Sequence, residues 1–507
     1  MKRMLSSWWP HAGTQANLDL TTMTAERIGK VLTIVLAISV VAGCALDPEY
    51  RRPVLPIPSR WDSSISGAGA ESHSYEREDK LNALMPEERK FLTGFGPNND
   101  LPTLVGNVLL HNRDLQIAAL RVDEARALYR VQKAEGVPSL AIGVQQTRER
   151  FNDSNIDARY GQNLSVAGVG FSGYDLDFFG RLRSLSESSK HEYLATEYAQ
   201  QAGRVALIVE TLRVYADCLA ASDIQEALRE ILGAEQAQLE ISTRQQMLGV
   251  ISEEDLRSQE NASEQARQRW LRARLDYAQA THALRLIAGF VPVDTKSAGS
   301  LADLAPDSIQ SDSSYANRSS AVLTQRPDIL QAEEKLRAAN ADIGAARAAF
   351  FPSIQLTSSV GIASTSLHGL FSSGTGTWLF SPQVSLPIFS GGANRANLDV
   401  AQIRKNIAIV EYEKAVQSAF REVADALAAR EQLIDQVAAN DKILKREENK
   451  LVLAAAHFDA GWTDKTSLLA AQIQFKEMYL FHLQNQRALV INSLDLYRAF
   501  YGVPAKS

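Results

Sequence analysis

Cysteine is nearly absent: Cys44 and Cys218 are the only two in 507 residues. That excludes a disulfide-stapled scaffold and any multi-cysteine zinc or iron–sulfur centre. Eight scattered histidines make no HxxxH or comparable ligand pair, so neither a metal site nor a cofactor is expected. A basic excess is missing too; the formal net charge of −6 argues against a nucleic-acid partner. With no nucleophile motif, phosphate loop or metal cluster, the chain does not read as an enzyme. Hydrophobic residues at 45% and charged residues at 22% exclude both a disordered chain and a polytopic helical membrane protein. Proline is missing from two long windows, between Pro138 and Pro292 and between Pro387 and Pro504. Because proline breaks helix interiors, those windows permit very long helices.

The one marked apolar run, Val31–Ala42, is too short to span a bilayer and follows Arg27 and Lys30. A basic stretch before a short apolar run reads as a signal peptide, with Met23 the more natural start. The run closes on Val41-Ala42-Gly43-Cys44, which resembles the lipobox of bacterial lipoproteins. The resemblance implies cleavage before Cys44 and acyl chains on that residue, anchoring it in lipid; Ala45 in the next place leans toward the outer membrane. An ordinary signal peptide followed by a chance cysteine is the alternative. Cys218, inside a helical pattern, reads as a small core residue.

What the chain has in abundance is self-similarity. The segment starting at Asp114 overlies that starting at Asp328, 214 positions on, with Ala118 on Ala332, Ala125 on Ala339, Ala134 on Ala348 and Pro138-Ser139 on Pro352-Ser353. The series continues through LRVYAD and FREVAD, Gly249 and Gly461, Gly289 and Gly502. Each copy reads helix, strand, strand, long helix, helix. The expected helices are about 101–135, 181–248 and 253–288 in the first copy, and about 321–349, 393–460 and 465–501 in the second. Residues 393–460 hold neither proline nor glycine, a composition that suits a rod of roughly 100 Å; Gly203 and Gly233 are the weak points of its counterpart. Gly249 and Gly461 suit left-handed caps. Ser252 with Asp255 looks like a capping box, and Thr463 or Asp464 could start the second returning helix. From length alone, each short helix and returning helix should stack end to end to match the long one.

The intervening strands alternate. Ile354, Leu356, Val360 and Ile362 face one way and Gln355, Thr357, Ser359 and Gly361 the other; Trp378, Phe380, Val384, Leu386 and Ile388 oppose Ser381, Gln383 and Ser385. That is the pattern of a transmembrane β-strand, although a soluble half-buried sheet alternates in the same way. In the second strand, about 163–176, the apolar phase slips between Val166 and Val169, which suggests a bulge near Gly168. Four strands cannot close a barrel and open edges do not survive in lipid, so a membrane location demands an oligomer.

Taken together, the VAGC motif, the segment Phe95–Arg126, the YDLDFFGRLR corner (Tyr174–Arg183), Gln325–Ile354, the PIFSGG corner (Pro387–Gly392) and the HFDAGWTDKTSLLAAQ turn (His457–Gln472) resemble the TolC family of outer-membrane efflux proteins, lipoprotein branch. The resemblance covers about residues 44–503. It implies a mixed α/β membrane protein: a homotrimer whose four strands per chain form a twelve-stranded transmembrane β-barrel, continuous with a long periplasmic α-helical barrel. On this reading residues 1–43 are the signal peptide, 44–100 a lipid-anchored segment, 101–290 the first repeat, 291–320 a linker, 321–503 the second repeat and 504–507 a tail.

The resemblance also implies partners: a periplasmic membrane-fusion adaptor, an inner-membrane pump of the resistance-nodulation-division type, and outer-membrane lipid through acylated Cys44. The adaptor-docking turns match Arg244, Leu248, Gly249, Val250 and Ser252 in the first copy and Ala460, Gly461, Trp462 and Thr463 in the second. The family's constricting aspartate pair falls on Ser467 and Ala470, so that ring does not carry over. Glu253, Glu254, Asp255 and Asp464 remain as lumen carboxylates that threefold symmetry would bring together, raising their pKa; solvated first-turn acids are the alternative. Drug efflux is the expected function, with a type I protein-secretion duct or a structural coiled-coil lipoprotein as the other readings.

Overall fold

The computed structural model describes residues 47–53, 77–96, 100–160, 162–289, 299–304 and 320–501. The segment expected to be a signal peptide, Cys44, most of the expected linker and the expected tail lie outside the described residues. Residues 47–53 are irregular and exposed.

From residue 77 onward the elements run α1 (Arg77–Asn82), α2 (Pro86–Phe95), α3 (Leu101–His111), α4 (Arg113–Ala134), β1 (Ala141–Glu149), α5 (Ser154–Tyr160), β2 (Gln162–Asp175), α6 (Arg181–Met247), α7 (Glu253–Ile287), α8 (Pro327–Ala348), β3 (Ser353–Ser364), β4 (Gly376–Ser385), α9 (Ala393–Asp459) and α10 (Lys465–Tyr501). The two long helices, α6 and α9, each have 67 residues. Gly203 and Gly233 lie inside an unbroken α6, where neighbouring helical propensity outweighs a cost of about 1 kcal/mol each. Both long helices start from a left-handed glycine, Gly180 (φ 75°) and Gly392 (φ 89°).

The expected single helix over 101–135 is two helices. Asn112, buried and extended at ψ 124°, ends α3 and caps α4, its side chain accepting from the Leu115 N–H at 3.0 Å. Its amide also donates to the Ile287 carbonyl at 3.3 Å, where α7 stops. The expected helix from 321 likewise opens as a 3₁₀ turn, Ser320–Gln325, before Pro327 starts α8.

Near the sheet, α6 carries α4 and α8: Tyr193 stacks on Tyr129, and His191 reaches Glu334 at 2.5 Å. Farther along it carries α7 and α10, through Glu235 to Gln259 (2.8 Å), Asp217 to Arg487 (2.6 Å) and Glu230 to Lys476 (2.8 Å). Helix α9 carries α8 and α10 in the same order; Glu422 holds Arg326, ahead of α8, at 2.9 Å and Arg498, near the end of α10, at 2.9 Å. So α4 and α7 stack end to end along α6, and α8 and α10 along α9, as length alone suggested.

The main core sits where these helix ends meet. Ile208, Leu212 and Leu219 of α6 bury against Leu92, Phe95, Leu101, Val105, Leu284, Leu483 and Leu494, each such side chain stabilising the fold by about 1.5–3 kcal/mol. Arg204 fastens α2 here through both Glu88 oxygens, at 3.0 and 2.8 Å. Burial pushes the Tyr215 hydroxyl up to about 12. Away from the core, burial is sparse: α4 buries no residue, and α9 buries only Ala401, Ala408, Ala419, Ala426 and Asn440.

The sheet is an antiparallel meander ordered β1-β2-β3-β4. Its register places Ile142, Val144, Ala167, Val169, Phe171, Leu356, Val360, Ile362, Trp378, Phe380 and Val384 on one face. Gln145, Thr357, Ser359, Ser381 and Gln383 share the other. Leu386 and Ile388 follow β4 rather than belonging to it. Gly168 is not a bulge. It pairs regularly with Gly143 and Gly361, and Val166 belongs to the second face. The irregularity lies between Phe171 and Tyr174, around Gly173 at φ 67°, and returns Tyr174 to the apolar face.

Candidate functional site

Three features of the chain leave apolar side chains exposed: the two helical turns, the open margins of the helices, and the sheet. At the first turn, Gly249 at φ 70° lets its N–H reach the Gln246 carbonyl (2.9 Å) and the Val250 N–H reach that of Gln245 (2.8 Å). At the second, Gly461 at φ 74° does the same, with Gly461 N–H on Phe458 (2.9 Å) and Trp462 N–H on His457 (2.8 Å). These are paired Schellman closures, and only glycine adopts that φ without strain. Closing the chain this tightly turns the flanking side chains outward. Leu248 is 79% exposed, Val250 67% and Trp462 77%. Met247, at 76%, is a further apolar residue of the first turn that sequence reasoning passed over, though it directly precedes Leu248. The Trp462 ring leans on His457, with centroids 5.3 Å apart.

Each returning helix starts from a polar cap. The Ser252 hydroxyl accepts from the Asp255 N–H at 3.1 Å, and Asp255 accepts from the Ser252 N–H (3.1 Å) and hydroxyl (2.7 Å). In the second turn the cap is Asp464, not Thr463: its carboxylate accepts from the N–H and hydroxyl of Ser467, at 2.8 and 2.6 Å. Those hydrogen bonds hold both Asp255 and Asp464 below the ordinary aspartate range within a single chain. The Thr463 hydroxyl is enclosed and has no hydrogen-bond partner among the described residues. Ala460 closes α9, Arg244 pairs with Glu240, Glu253 pairs with Arg257 at 2.6 Å, and Glu254 is exposed. The Gln238 amide reaches the Thr466 carbonyl at 3.5 Å, tying the start of α10 to the last turns of α6.

Polar ties also cross between the two hairpins: Arg269 of α7 grips Glu477 of α10 with both guanidinium arms, and Lys476 beside it holds Glu230 of α6. Their signal in the sequence is faint, because ion-pair partners more than 200 residues apart leave no local pattern.

The margins repeat at every level. The sheet ends in β1 on one side and β4 on the other. Among the described helices, α4 and α7 lie at the first margin and α9 at the second. Exposed apolar stripes mark them: Ile117, Leu120, Leu128 and Val131 on α4, Leu271 and Leu275 on α7, and Val400, Ile403, Ile407 and Val410 on α9. Each recurs at helical spacing, so each is one continuous face. At the junction of sheet and helices, Phe178, Phe351, Ile388 and Phe389 are also exposed, the last two at 94% and 90%. Among the described residues no group of histidine, cysteine and acidic side chains could hold a metal ion, and no helix is long and apolar enough to cross a membrane.

The chain matches the family described as outer membrane efflux protein over residues 104–290 and 319–500. It is 35% identical over 478 residues to the cation efflux system protein CusC of Escherichia coli K12, covering 93% of this chain and 99% of that one. It is 35% identical over 474 residues to the toluene efflux pump outer membrane protein TtgI of Pseudomonas putida, covering 92% and 97%. The structure of the open state of the Neisseria gonorrhoeae MtrE outer membrane channel superimposes with a TM-score of 0.68 at 31% identity, over 90% of this chain and 98% of that one.

Proposed function

Because the chain belongs to the outer membrane efflux protein family, we propose that it is the outer-membrane duct of a tripartite efflux system, made of three copies. The observation that carries this reading is the agreement of the margins. One side of the chain presents β1, α4 and α7, and the other presents β4 and α9. Apolar stripes are left uncovered on both sides. Two different margins on one chain join head to tail, and a head-to-tail contact that closes makes a ring. Three meanders then give a twelve-stranded barrel, and the helices a second barrel coaxial with it. The apolar sheet face meets lipid and the serine-, threonine- and glutamine-rich face lines the bore. The exposed phenylalanines at the sheet–helix junction lie at the periplasmic boundary of the bilayer. Equal lengths of α6 and α9, with the split family match, support a duplicated hairpin as the origin of the chain.

The apolar turns, Leu248 to Val250 and Trp462, are the docking face for a periplasmic adaptor, with an inner-membrane pump behind it. Glu253, Glu254, Asp255 and Asp464 ring the entrance just above the turns. Acylation of Cys44 adds a lipid anchor. The protein works as a passive conduit with no cofactor. Equal identity to relatives named for cation and for toluene efflux supports cargo choice residing in the pump.

Detergent-extracted protein should sediment as a trimer and form conducting pores in planar bilayers, and deletion of the gene should sensitise cells to toxic compounds. Leu128→Glu or Ile407→Glu places a charge in an apolar margin and should shift the protein toward monomers. A monomeric wild-type chain that needs no detergent would overturn the reading.

A further inference from the structure

The outer end of β1 carries arginines that the efflux reading does not use. In the register with β2, Arg148 stands opposite Asn163 and shares its face with Gln146, Val144 and Ile142. That column is the apolar one, so a single face of one strand passes from Ile142 and Val144, through an amide, to a guanidinium. The Gln146 side chain, with its amide oxygen turned toward Arg148, lies 3.1 Å from both Nε and Nη2. The arginine is thereby aligned along the face rather than turned into the bore. Arg150 follows two residues later, and Arg159 sits on α5 in the same loop; all three are exposed. None of the three makes an ion pair among the described residues.

The acids nearby have other partners or face away. Glu149 falls on the opposite face from Arg148. Asp153 is occupied by the N–H groups of Asn155 (2.8 Å) and Ile156 (3.3 Å), and Asp157 by that of Phe151 (2.7 Å). The second long connection, residues 365–375, carries no charged residue besides His368. The basic groups are therefore gathered at the β1–β2 end of the rim, where Asp153 and Asp157 brace the backbone of the loop.

We infer that Arg148, Arg150 and Arg159 form a phosphate-binding edge for the lipid of the outer leaflet, in which Arg148 grips a headgroup phosphate while Ile142 and Val144 below it pack on the acyl chains. This rests on the barrel reading, which makes the apolar face the lipid face. The chemistry fits one occupant. A fork of guanidinium donors matches the tetrahedral oxygens of phosphate, and an apolar wall directly beneath suits a molecule that is both phosphorylated and acylated. Free phosphate satisfies only the first half. In the ring, β1 meets β4 of the next copy, so each edge lies at a seam between subunits and there are three per trimer.

The test uses full-length trimer in detergent, titrated with diphosphorylated lipid A and, separately, with the same lipid stripped of its phosphates, read by native mass spectrometry. Wild-type protein should prefer the phosphorylated lipid by about tenfold, on the scale of membrane-surface arginines. Arg148→Gln with Arg150→Gln and Arg159→Gln should remove that preference while the trimer and its conductance persist. Inorganic phosphate at the lipid concentrations should not compete. Equal binding of both lipids by wild type, an unchanged preference in the triple variant, or full competition by inorganic phosphate would each overturn the inference. Failure to form conducting pores at all would instead bring down the barrel reading.

Discussion

His482 shows how one residue couples the long helices to pH. It lies on α10, buried against α9, with Asp441 Oδ1 3.2 Å from Nδ1. Burial lowers its pKa below the ordinary 6.5, and the aspartate only partly offsets that. The folded state therefore keeps the ring neutral where the unfolded chain would protonate it. The stabilisation is complete above pH 6.5 and is lost as pH falls through that value toward the depressed folded pKa. Each unit of depression corresponds to about 1.4 kcal/mol. Thermal midpoints of the purified protein should fall between pH 7 and 5, and His482→Gln should fall less over the same interval. An identical slope for both would assign the acid sensitivity elsewhere.

Among elements, what could be read in advance was what repeats or alternates. Helix ends over 181–247 and 393–459, the glycine reversals and the Ser252 box were legible, because capping and proline placement are local chemistry. The break at Asn112 was not, since an asparagine inside an apolar pattern becomes a cap only when Ile287, far along the chain, takes its amide. The place of the β2 irregularity was misjudged for a similar reason. Gly168 is required by contact across strands: a Cβ there would lie 2.7 Å from the Val360 carbonyl oxygen, and one on Gly361 would lie 2.2 Å from that of Ala167. A Cβ on Gly143 in the same rung meets nothing within 4 Å. Gly168→Val and Gly361→Val should each destabilise the sheet by roughly 2 kcal/mol or more. The heat-stable trimer fraction on gels should drop accordingly, whereas Gly143→Ala should assemble as wild type does. If the three behave alike, the rung is not a close approach of backbones.

For the whole molecule, the sheet and the two glycine turns lie at opposite ends of α6 and α9, roughly 100 Å apart at 1.5 Å per residue. Damage at one end should therefore leave the other intact. Leu248 and Trp462 lie at the far end from the sheet, exposed, and outside the core that holds the hairpins together. Surface substitutions of that kind usually change stability by less than about 0.5 kcal/mol. A docking contact behaves differently, because a buried aromatic anchor can contribute 2 kcal/mol or more to an interface, and a carboxylate in its place stays unpaired when the partner closes. Leu248→Glu combined with Trp462→Glu should yield trimers of normal abundance, heat stability and bilayer conductance, yet leave cells as sensitive to toxic compounds as a deletion. Cross-linking to the adaptor should fall in parallel. Normal tolerance in that variant would move the docking face away from the turns, and lost conductance would mean that the turns shape the bore itself.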